Sequence, residues 1–237
     1  MNAIFKRELL SYFKSPVAYF VIAFFGALAG LYFWNVNLYN GSVEFTTTLA
    51  SLTTFLIFFI PVITMKLFAD DKKSGTEVLL RTAPVPTWKI VLGKYLASVV
   101  VFGCMCLETV ICPIIMTFFI NENGVFPFVM TVGGYVGFFM LGLAYLAVGT
   151  FASSVTESQP IAAVLGVVIL LVITFIQTIG ETIKGTLGRI LIWISLSSRY
   201  DDFASGVFKI SSVFFYLTFT LLVLFFTSVN IERKRWN

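Results

Sequence analysis

Residues 49–65, LASLTTFLIFFIPVITM, contain no charged side chain, and residues 68–94, FADDKKSGTEVLLRTAPVPTWKIVLGK, carry a dense charge cluster immediately afterwards. An apolar run of about 20 residues is long enough to cross the ~30 Å hydrocarbon core of a bilayer as a helix. A charge cluster is stable only in water or at the membrane surface. This pair of stretches therefore predicts a membrane-spanning helix followed by an exposed loop.

The composition of the whole chain is that of a membrane protein. Of its 237 residues, 58% are hydrophobic and only 12% are charged, whereas charged residues make up about a quarter of a typical soluble domain. A soluble domain of this length could not bury so much apolar surface in one core. The net charge of +4 comes from Lys and Arg residues beside apolar runs, which is a topology signal and gives no support to nucleic-acid binding.

Six apolar runs predict an all-α membrane protein with six transmembrane helices, forming a single transmembrane domain over residues 1–237. The third run would be about 45 Å long as one helix, so one of its ends should project into water. Pro113 should kink this helix. The six runs are residues 17–39, 49–65, 90–120, 126–151, 161–179 and 210–229.

Basic residues concentrate on one side of the predicted membrane topology. The two chain ends and the loop after the second span are rich in Lys and Arg, whereas residues 40–48 and 121–127 contain neither. Cytoplasmic loops of membrane proteins carry such an excess of Lys and Arg. We therefore expect a multi-pass protein of the plasma (inner) membrane with both termini in the cytoplasm.

The start of the chain predicts an amphipathic helix on the inner membrane surface, because five large apolar side chains share one helical face. Ser15 and Pro16 suit the N-cap and first position of the first span. The apolar face consists of Ile4, Phe5, Leu9, Tyr12 and Phe13.

A second irregular segment lies on the outer side, between spans five and six. Residues 181–209 contain four basic residues and a short apolar run at residues 190–196. That run is too short to span the membrane and suits a hairpin that enters the outer leaflet and returns. We therefore predict an outer re-entrant hairpin there.

The chain lacks the residues that most metal and catalytic sites require. It contains no His, and the spacing of Cys104, Cys106 and Cys112 matches no zinc motif. A P-loop needs Gly-x-x-x-x-Gly-Lys, but the closest spacing, Gly180 to Gly185, is followed by Thr186 and thus lacks the phosphate-binding Lys. We expect no metal, no catalytic residue and no cofactor on this chain.

Within the spans, Glu108 is the one acidic residue that lies deep in an apolar run. A charge at mid-bilayer costs about 2.5 kcal/mol or more, so Glu108 should face the protein and have a partner or a proton. Both a role in a translocation path and a purely structural role fit this position. Small residues at helical spacing, the pairs Gly26 with Gly30 and Gly133 with Gly137, favour close helix packing or a substrate-lining surface.

The charged loop predicts a short helix of its own. Ser74 to Glu77 reads S-G-T-E, which fits a capping box, and Pro84 and Pro86 would stop the helix. Two interpretations fit this pattern. The helix docks a soluble protein that pushes on the bundle, or it is an interfacial helix that only covers the end of the bundle.

The same loop resembles a known family. FADDKKSGTEVLLRTAPVPTWKIVLGKYLA, residues 68–97, is similar to a segment of bacterial ABC type-2 permeases, especially those of the gliding-motility and nitrous-oxide-accessory kind. AVGTFASSVTESQPIAA at 147–163, FKRELLSYFKSP at 5–16 and ERKRWN at 232–237 are also similar. Together these motifs cover nearly the whole chain in order.

The resemblance implies that residues 74–82 form a cytoplasmic coupling helix that fits a groove on an ABC ATPase subunit. It also implies a second, smaller cytoplasmic contact and a second permease chain, identical or related, beside this one. ATP and Mg²⁺ would be held by the partner ATPase, so this chain is not itself an enzyme. The implied docking residues are Lys72, Lys73, Ser74, Gly75, Thr76, Glu77, Val78, Leu79 and Arg81, and those of the second contact are Ser154, Thr156, Glu157 and Gln159.

The function that follows is that of the membrane-spanning permease of an ABC type-2 exporter with an unidentified substrate. Two alternatives remain open at this point. One is ATP-driven mechanical transmission to a periplasmic partner without transport, and the other is a channel or membrane-embedded enzyme outside the ABC class.

We predict that Arg81→Glu or Leu79→Pro uncouples ATP hydrolysis from the membrane subunit without preventing membrane insertion. The first change reverses a charge on the docking surface, and the second breaks the helix that presents it. Stimulation of the ATPase by the reconstituted chain measures the effect, with membrane-fraction yield as the control. Unchanged stimulation in both variants would contradict the docking prediction.

Overall fold

The computed structural model of the chain describes residues 1–76, 85–119, 126–183 and 185–236, with side chains as far as residue 233. This part of the chain is almost entirely helical and contains no β-strand. The helices are α1 (Asn2–Lys14), α2 (Pro16–Tyr32, continued by a π-helical segment Phe33–Tyr39), α3 (Phe45–Thr64), α4 (Lys66–Lys73), α5 (Thr87–Thr109), α6 (Ile111–Phe119), α7 (Phe128–Val155), α8 (Gln159–Thr182), α9 (Thr186–Ile194), α10 (Leu196–Ala204) and α11 (Ile210–Trp236).

Six helical segments of the described chain are long and apolar enough to cross a membrane. Each coincides with one predicted run, so the prediction of an all-α membrane fold with six spans is confirmed. The segments are Pro16–Tyr39, Phe45–Lys73, Thr87–Phe118, Phe128–Val155, Gln159–Thr182 and Ile210–Arg233.

Helix α7 lies at the centre of the bundle. In its most apolar stretch 72% of the residues are buried by the rest of the chain, compared with 17% in α8. It packs against α3, α5, α8, α10 and α11. The centre of the fold is therefore a glycine-containing helix, while α8 leaves most of its apolar surface to lipid or to another chain.

Two glycines of α7 explain this close packing. A side chain at Gly142 would overlap the buried ring of Phe102 in α5, and one at Gly149 would overlap Thr64 at the end of α3. Small residues permit helices to approach closely where lipid offers no hydrophobic driving force between them. Gly142 and Gly149 therefore seat the second and third spans against the fourth.

The third span is broken near the end that lies away from Lys94, as predicted. Helix α5 ends at Thr109 and α6 begins at Ile111, two residues before Pro113. A proline ring clashes with the carbonyl four residues earlier, which here belongs to Thr109, and has no N–H to donate to it. The predicted kink is confirmed, and it divides the span at Val110.

The N-terminal helix forms as predicted, and its apolar face contacts protein. Ile4 lies against Gly93 of α5, and the buried Tyr12 hydroxyl donates to the carbonyl of Ile63 at 2.7 Å. This burial raises the pKa of Tyr12 well above its usual range. Ser15 is the N-cap of α2 and Pro16 its first residue, as the sequence predicts. Helix α1 is therefore anchored to the second and third spans.

The segment between spans five and six folds as a pair of short helices, α9 and α10. Helix α10 packs on α7, where a side chain at Gly137 would come within 2.5 Å of Phe203. Gly137 lies nine residues after Phe128, which corresponds to about 13 Å along the helix axis. The Tyr216 hydroxyl in α11 donates to the carbonyl of Leu196 at 2.6 Å. The hairpin thus reaches well below the end of α7, in support of the re-entrant prediction.

The four glycines of the two predicted pairs differ in how closely other residues approach them. Side chains at Gly26 and Gly137 would come within 3.0 Å of neighbouring side chains. A side chain at Gly133 would lie 3.6 Å from the Phe203 carbonyl, an ordinary contact distance, and nothing lies within 4 Å of the position that a Gly30 side chain would take. Close packing therefore explains two of the four glycines.

We predict that Gly142→Ala destabilises the bundle by about 1–3 kcal/mol, because the added methyl group overpacks the Phe102 ring. Adding Phe102→Leu to this variant should remove part of the loss, so the two changes will be non-additive. Unfolding in mixed micelles followed by circular dichroism measures both.

Gly103→Ala is the matched control, since nothing lies within 4 Å of the added methyl group. It should leave stability unchanged or slightly higher, because Ala is the better helix former. An equal loss in Gly103→Ala and Gly142→Ala would contradict the packing argument.

Candidate functional site

The predicted docking surface begins at the end of the bundle that holds α1, α4, the turn between α7 and α8, and the last turns of α11. We call this end the terminal face. Much of the predicted coupling helix, including Glu77, Val78, Leu79 and Arg81, lies outside the described residues. The approach to that helix, Lys72 to Thr76, is described.

Ser74 has a different role from the predicted N-cap. Its backbone is helical, it ends α4, and its hydroxyl donates to the carbonyl of Asp70 at 2.8 Å. Gly75 follows with a φ of +73°, a conformation that glycine adopts without strain. Helical structure resumes at Thr76. Ser74 and Gly75 therefore end α4 and form the turn that follows it.

Helix α4 is a separate helix because the second span breaks at Met65. A new helix start leaves backbone N–H groups without intrahelical partners. The buried hydroxyl of Ser153 in α7 accepts from the amides of Phe68 at 3.0 Å and Ala69 at 3.2 Å and donates to the carbonyl of Met65 at 3.1 Å. One serine of the fourth span therefore caps α4 and holds the break.

The two predicted cytoplasmic contacts lie side by side. The Lys72 ammonium donates to the carbonyls of Ser154 and Thr156, and the Gln159 amide donates to Asp70 at 2.7 Å. Ser154 is fully buried, whereas Glu157 is exposed. The structure thus joins the two segments into one surface, in which Ser154 bonds within the chain and Glu157 faces outward.

The last span joins the same network. The Asn230 amide in α11 donates to the hydroxyl of Ser154 at 3.0 Å. Spans two, four and six are therefore connected by polar contacts directly beneath the predicted docking surface.

On the other side of α4, four charged residues form a compact cluster. The Lys94 ammonium lies 2.9 Å from Glu8 and 2.6 Å from Asp71, and it also donates to the carbonyl of Leu67. Arg7 pairs with Glu8 at 2.5 Å and with Asp71 at 3.4 Å. Two cations and two carboxylates thus join α1, α4 and α5.

The electrostatics of this cluster depend on Lys94, whose side chain is only 1% exposed. A buried ammonium is tolerated only when it is paired and hydrogen-bonded, and here three oxygen atoms satisfy its three donors. Burial alone would lower the pKa of Arg7, but the hydrogen bond and charge of Glu8 outweigh it and raise the pKa above the usual value. Arg7 therefore stays charged at every physiological pH.

The cluster also reaches the docking segment. The Thr76 hydroxyl donates to Oδ1 of Asp71 at 2.9 Å, whereas Lys94 contacts Oδ2 of the same carboxylate. A polar cavity of about 170 Å³ borders the cluster, with Ser11 and Asp70 among its lining residues. The carboxylate of Asp71 therefore connects the buried Lys94 to Thr76, three residues after the end of α4.

Sequence reasoning missed this cluster, although one signal for it was present. Lys94 lies five residues beyond Lys89, inside the third apolar run. A lysine so placed needs a counter-ion. Glu8 and Asp71 are distant in sequence, so the pattern did not identify them as its partners.

Glu108 lies far from this surface, 14 residues after Lys94 and thus about 21 Å along the helix. Its carboxyl group rests against α2, where a side chain at Gly26 would come within 2.9 Å. Oε1 is buried and has no hydrogen-bond partner in the described part of the chain. Gly26 thus provides the space that the Glu108 side chain occupies. A role of this carboxyl group in a translocation path and a purely structural role both stay predictions.

The sequence of the chain matches one known protein family. The family model described as ABC-2 family transporter protein matches residues 10–229. The chain belongs to the ABC-2 transporter family. The match includes the first five spans and most of the sixth, with Lys94, Asp71 and the turn between α7 and α8. No curated protein matches the chain significantly. This ABC-2 protein is therefore the multi-pass permease component of a transporter.

We predict that Lys94→Met destabilises the ABC-2 permease by about 3–5 kcal/mol, because Glu8 and Asp71 lose their buried cation. The triple variant Lys94→Met, Glu8→Gln, Asp71→Asn should regain most of this loss, since no buried charge remains unpaired. Denaturant unfolding in micelles measures both.

Lys89→Met is the control, because the Lys89 ammonium lies over the ring of Trp88 and takes no part in the cluster. It should change stability by less than about 1 kcal/mol. A triple variant as unstable as Lys94→Met would show that the loss comes from packing and not from unpaired charge.

Proposed function

We propose that this ABC-2 permease takes its energy from a separate ABC ATPase that docks on the terminal face, and uses it to export a substrate. The observation that carries the proposal is the double attachment of α4. Lys72 connects it to the turn between α7 and α8, and Asp71 connects it to α1 and α5. The docking segment therefore begins at a point held by several spans.

Such an attachment suits the transmission of force. A rigid element that is bonded to several helices moves them together, whereas a loosely attached loop would absorb the movement of a partner. Helix α4 is capped by Ser153 at its start and ended by Ser74. A push on the segment after Thr76 would thus reach spans two, three, four and six.

The remaining parts of the proposal follow from the topology and the family. The basic residues at the terminal face support a cytoplasmic location for it in a plasma (inner) membrane protein. ATP and Mg²⁺ would be bound by the ATPase, and a second permease, identical or related, would complete the transporter. Membership of the gliding-motility and nitrous-oxide-accessory group rests on the motif resemblance.

A second candidate function is ATP-driven mechanical transmission to a periplasmic partner. The observation that favours it is the apolar surface of α9 in the outer hairpin. Leu187 is 70% exposed and Trp193 is 64% exposed, with Ile190 between them on the same side of the helix. This surface suits either a protein partner or the membrane interface.

The test is reconstitution of the full chain in vesicles with an ABC ATPase that co-purifies with it. We predict that the chain stimulates ATP hydrolysis, and that Lys73→Glu weakens ATPase binding because it reverses an exposed charge at the docking surface. Arg189→Glu, which reverses an exposed charge on α9 at the opposite end of the bundle, is the control and should leave binding unchanged.

Two results would overturn the proposal: no ATPase co-purifies with the chain, or the chain conducts ions with no ATPase present. A variant with residues 187–193 replaced by a short polar linker separates the two candidate functions. Loss of a periplasmic partner with ATPase stimulation intact favours mechanical transmission. Export of a fluorescent lipid, peptide or drug from the vesicles favours transport.

A further inference from the structure

A long apolar groove opens on the lipid-facing side of the bundle between α7, α8 and α11. It has a volume of about 420 Å³. Its walls are apolar along their length, and polar side chains line it only at the terminal face. The lining residues used below are Ile173, Phe219, Val223, Phe226, Asn230 and Arg233.

The length of the groove matches one membrane leaflet. Along α11 the apolar lining runs from Phe219 to Val229, ten residues or about 15 Å of helix. Half of the ~30 Å hydrocarbon core has the same thickness. The groove therefore extends from the middle of the bilayer to its surface at the terminal face.

The lining of the groove suits an acyl chain. It is almost wholly apolar and continuous with the exposed apolar faces of α8 and α11. A flexible hydrocarbon chain can follow an open apolar groove of this length.

The polar end of the groove carries positive charge. Arg233 is exposed and lies one turn beyond Val229, on the same side of α11. Lys234 and Arg235 follow it in the sequence. Basic residues at the membrane surface attract anionic lipids by about 1 kcal/mol for each Lys or Arg.

We propose that this groove holds an acyl chain of an anionic phospholipid from the leaflet at the terminal face, with the headgroup phosphate bound by Arg233. The lipid is a retained structural ligand and not the transported cargo. Asn230 lines the same end of the groove and donates to Ser154, so the lipid would lie beside the network that holds α4.

The test uses the purified full-length chain in detergent, with no ATPase present, so its result does not depend on the proposed transport function. Phosphatidylglycerol and phosphatidylcholine with identical acyl chains are titrated separately, and bound lipid is measured by native mass spectrometry. We expect the anionic lipid to bind at least about fivefold more tightly, because the choline cation of phosphatidylcholine offsets the attraction between its phosphate and Arg233.

Two variants address the two ends of the groove. Arg233→Gln should lower the preference for phosphatidylglycerol by about fivefold, with little effect on folding because the side chain is exposed. Val223→Trp should fill the groove and weaken the binding of both lipids at least tenfold. Glycerol phosphate, which has the headgroup charge but no acyl chain, should not displace the lipid.

Each variant has a matched control. Lys6→Gln removes an exposed cation of the terminal face away from the groove, and Leu221→Trp adds the same indole to a side of α11 that faces away from it, where Leu221 is 64% exposed. Both controls should bind the two lipids as the unaltered chain does.

Three results would overturn the proposal. The first is equal binding of the two lipids by the unaltered chain, and the second is a full preference for phosphatidylglycerol in Arg233→Gln. The third is a dimer that Val223→Trp dissociates while lipid binding stays unchanged, which would assign the groove to a second copy of the chain. If Val223→Trp fails to fold, Arg233→Gln alone decides.

Discussion

The buried ammonium of Lys94 is the constraint on which the terminal face depends. It is fixed in an apolar helix and almost fully removed from solvent, so it requires carboxylates from other parts of the chain. Glu8 and Asp71 supply them. Satisfying one charge thereby fixes the N-terminal helix and the extension of the second span against the third span.

In the same region, hydrogen bonds from another span satisfy the backbone groups at a helix break. The second span ends at Met65, and the amides that the break releases are taken up by Ser153 rather than by water. Because the chain turns there into α4, the polar contacts of Lys72 and Gln159 lie directly next to it. A helix break that would be costly in lipid thus becomes the anchor of a surface segment.

On the lipid-facing side, only a small part of α8 and α11 is buried by the rest of the chain. Both helices expose long apolar faces, and an apolar groove opens between them and α7. At the other end of the bundle, α10 is inserted against Gly137. The two ends therefore differ in their interactions. Ion pairs and hydrogen bonds organise the terminal face, whereas aromatic packing against glycine holds the hairpin of α9 and α10.

The sequence by itself determined the six spans, the break before Pro113 and the start of the first span at Ser15 and Pro16. These features depend on local length, hydropathy and backbone chemistry, which can be read within a few turns of helix. Only the tertiary structure decided that Lys94 pairs with Glu8 and Asp71, that Ser153 caps α4, and that Ser74 ends a helix rather than beginning one. Each of these depends on which helices are neighbours. The sequence of an apolar span does not indicate which other spans it contacts, because nearly all of its side chains are apolar.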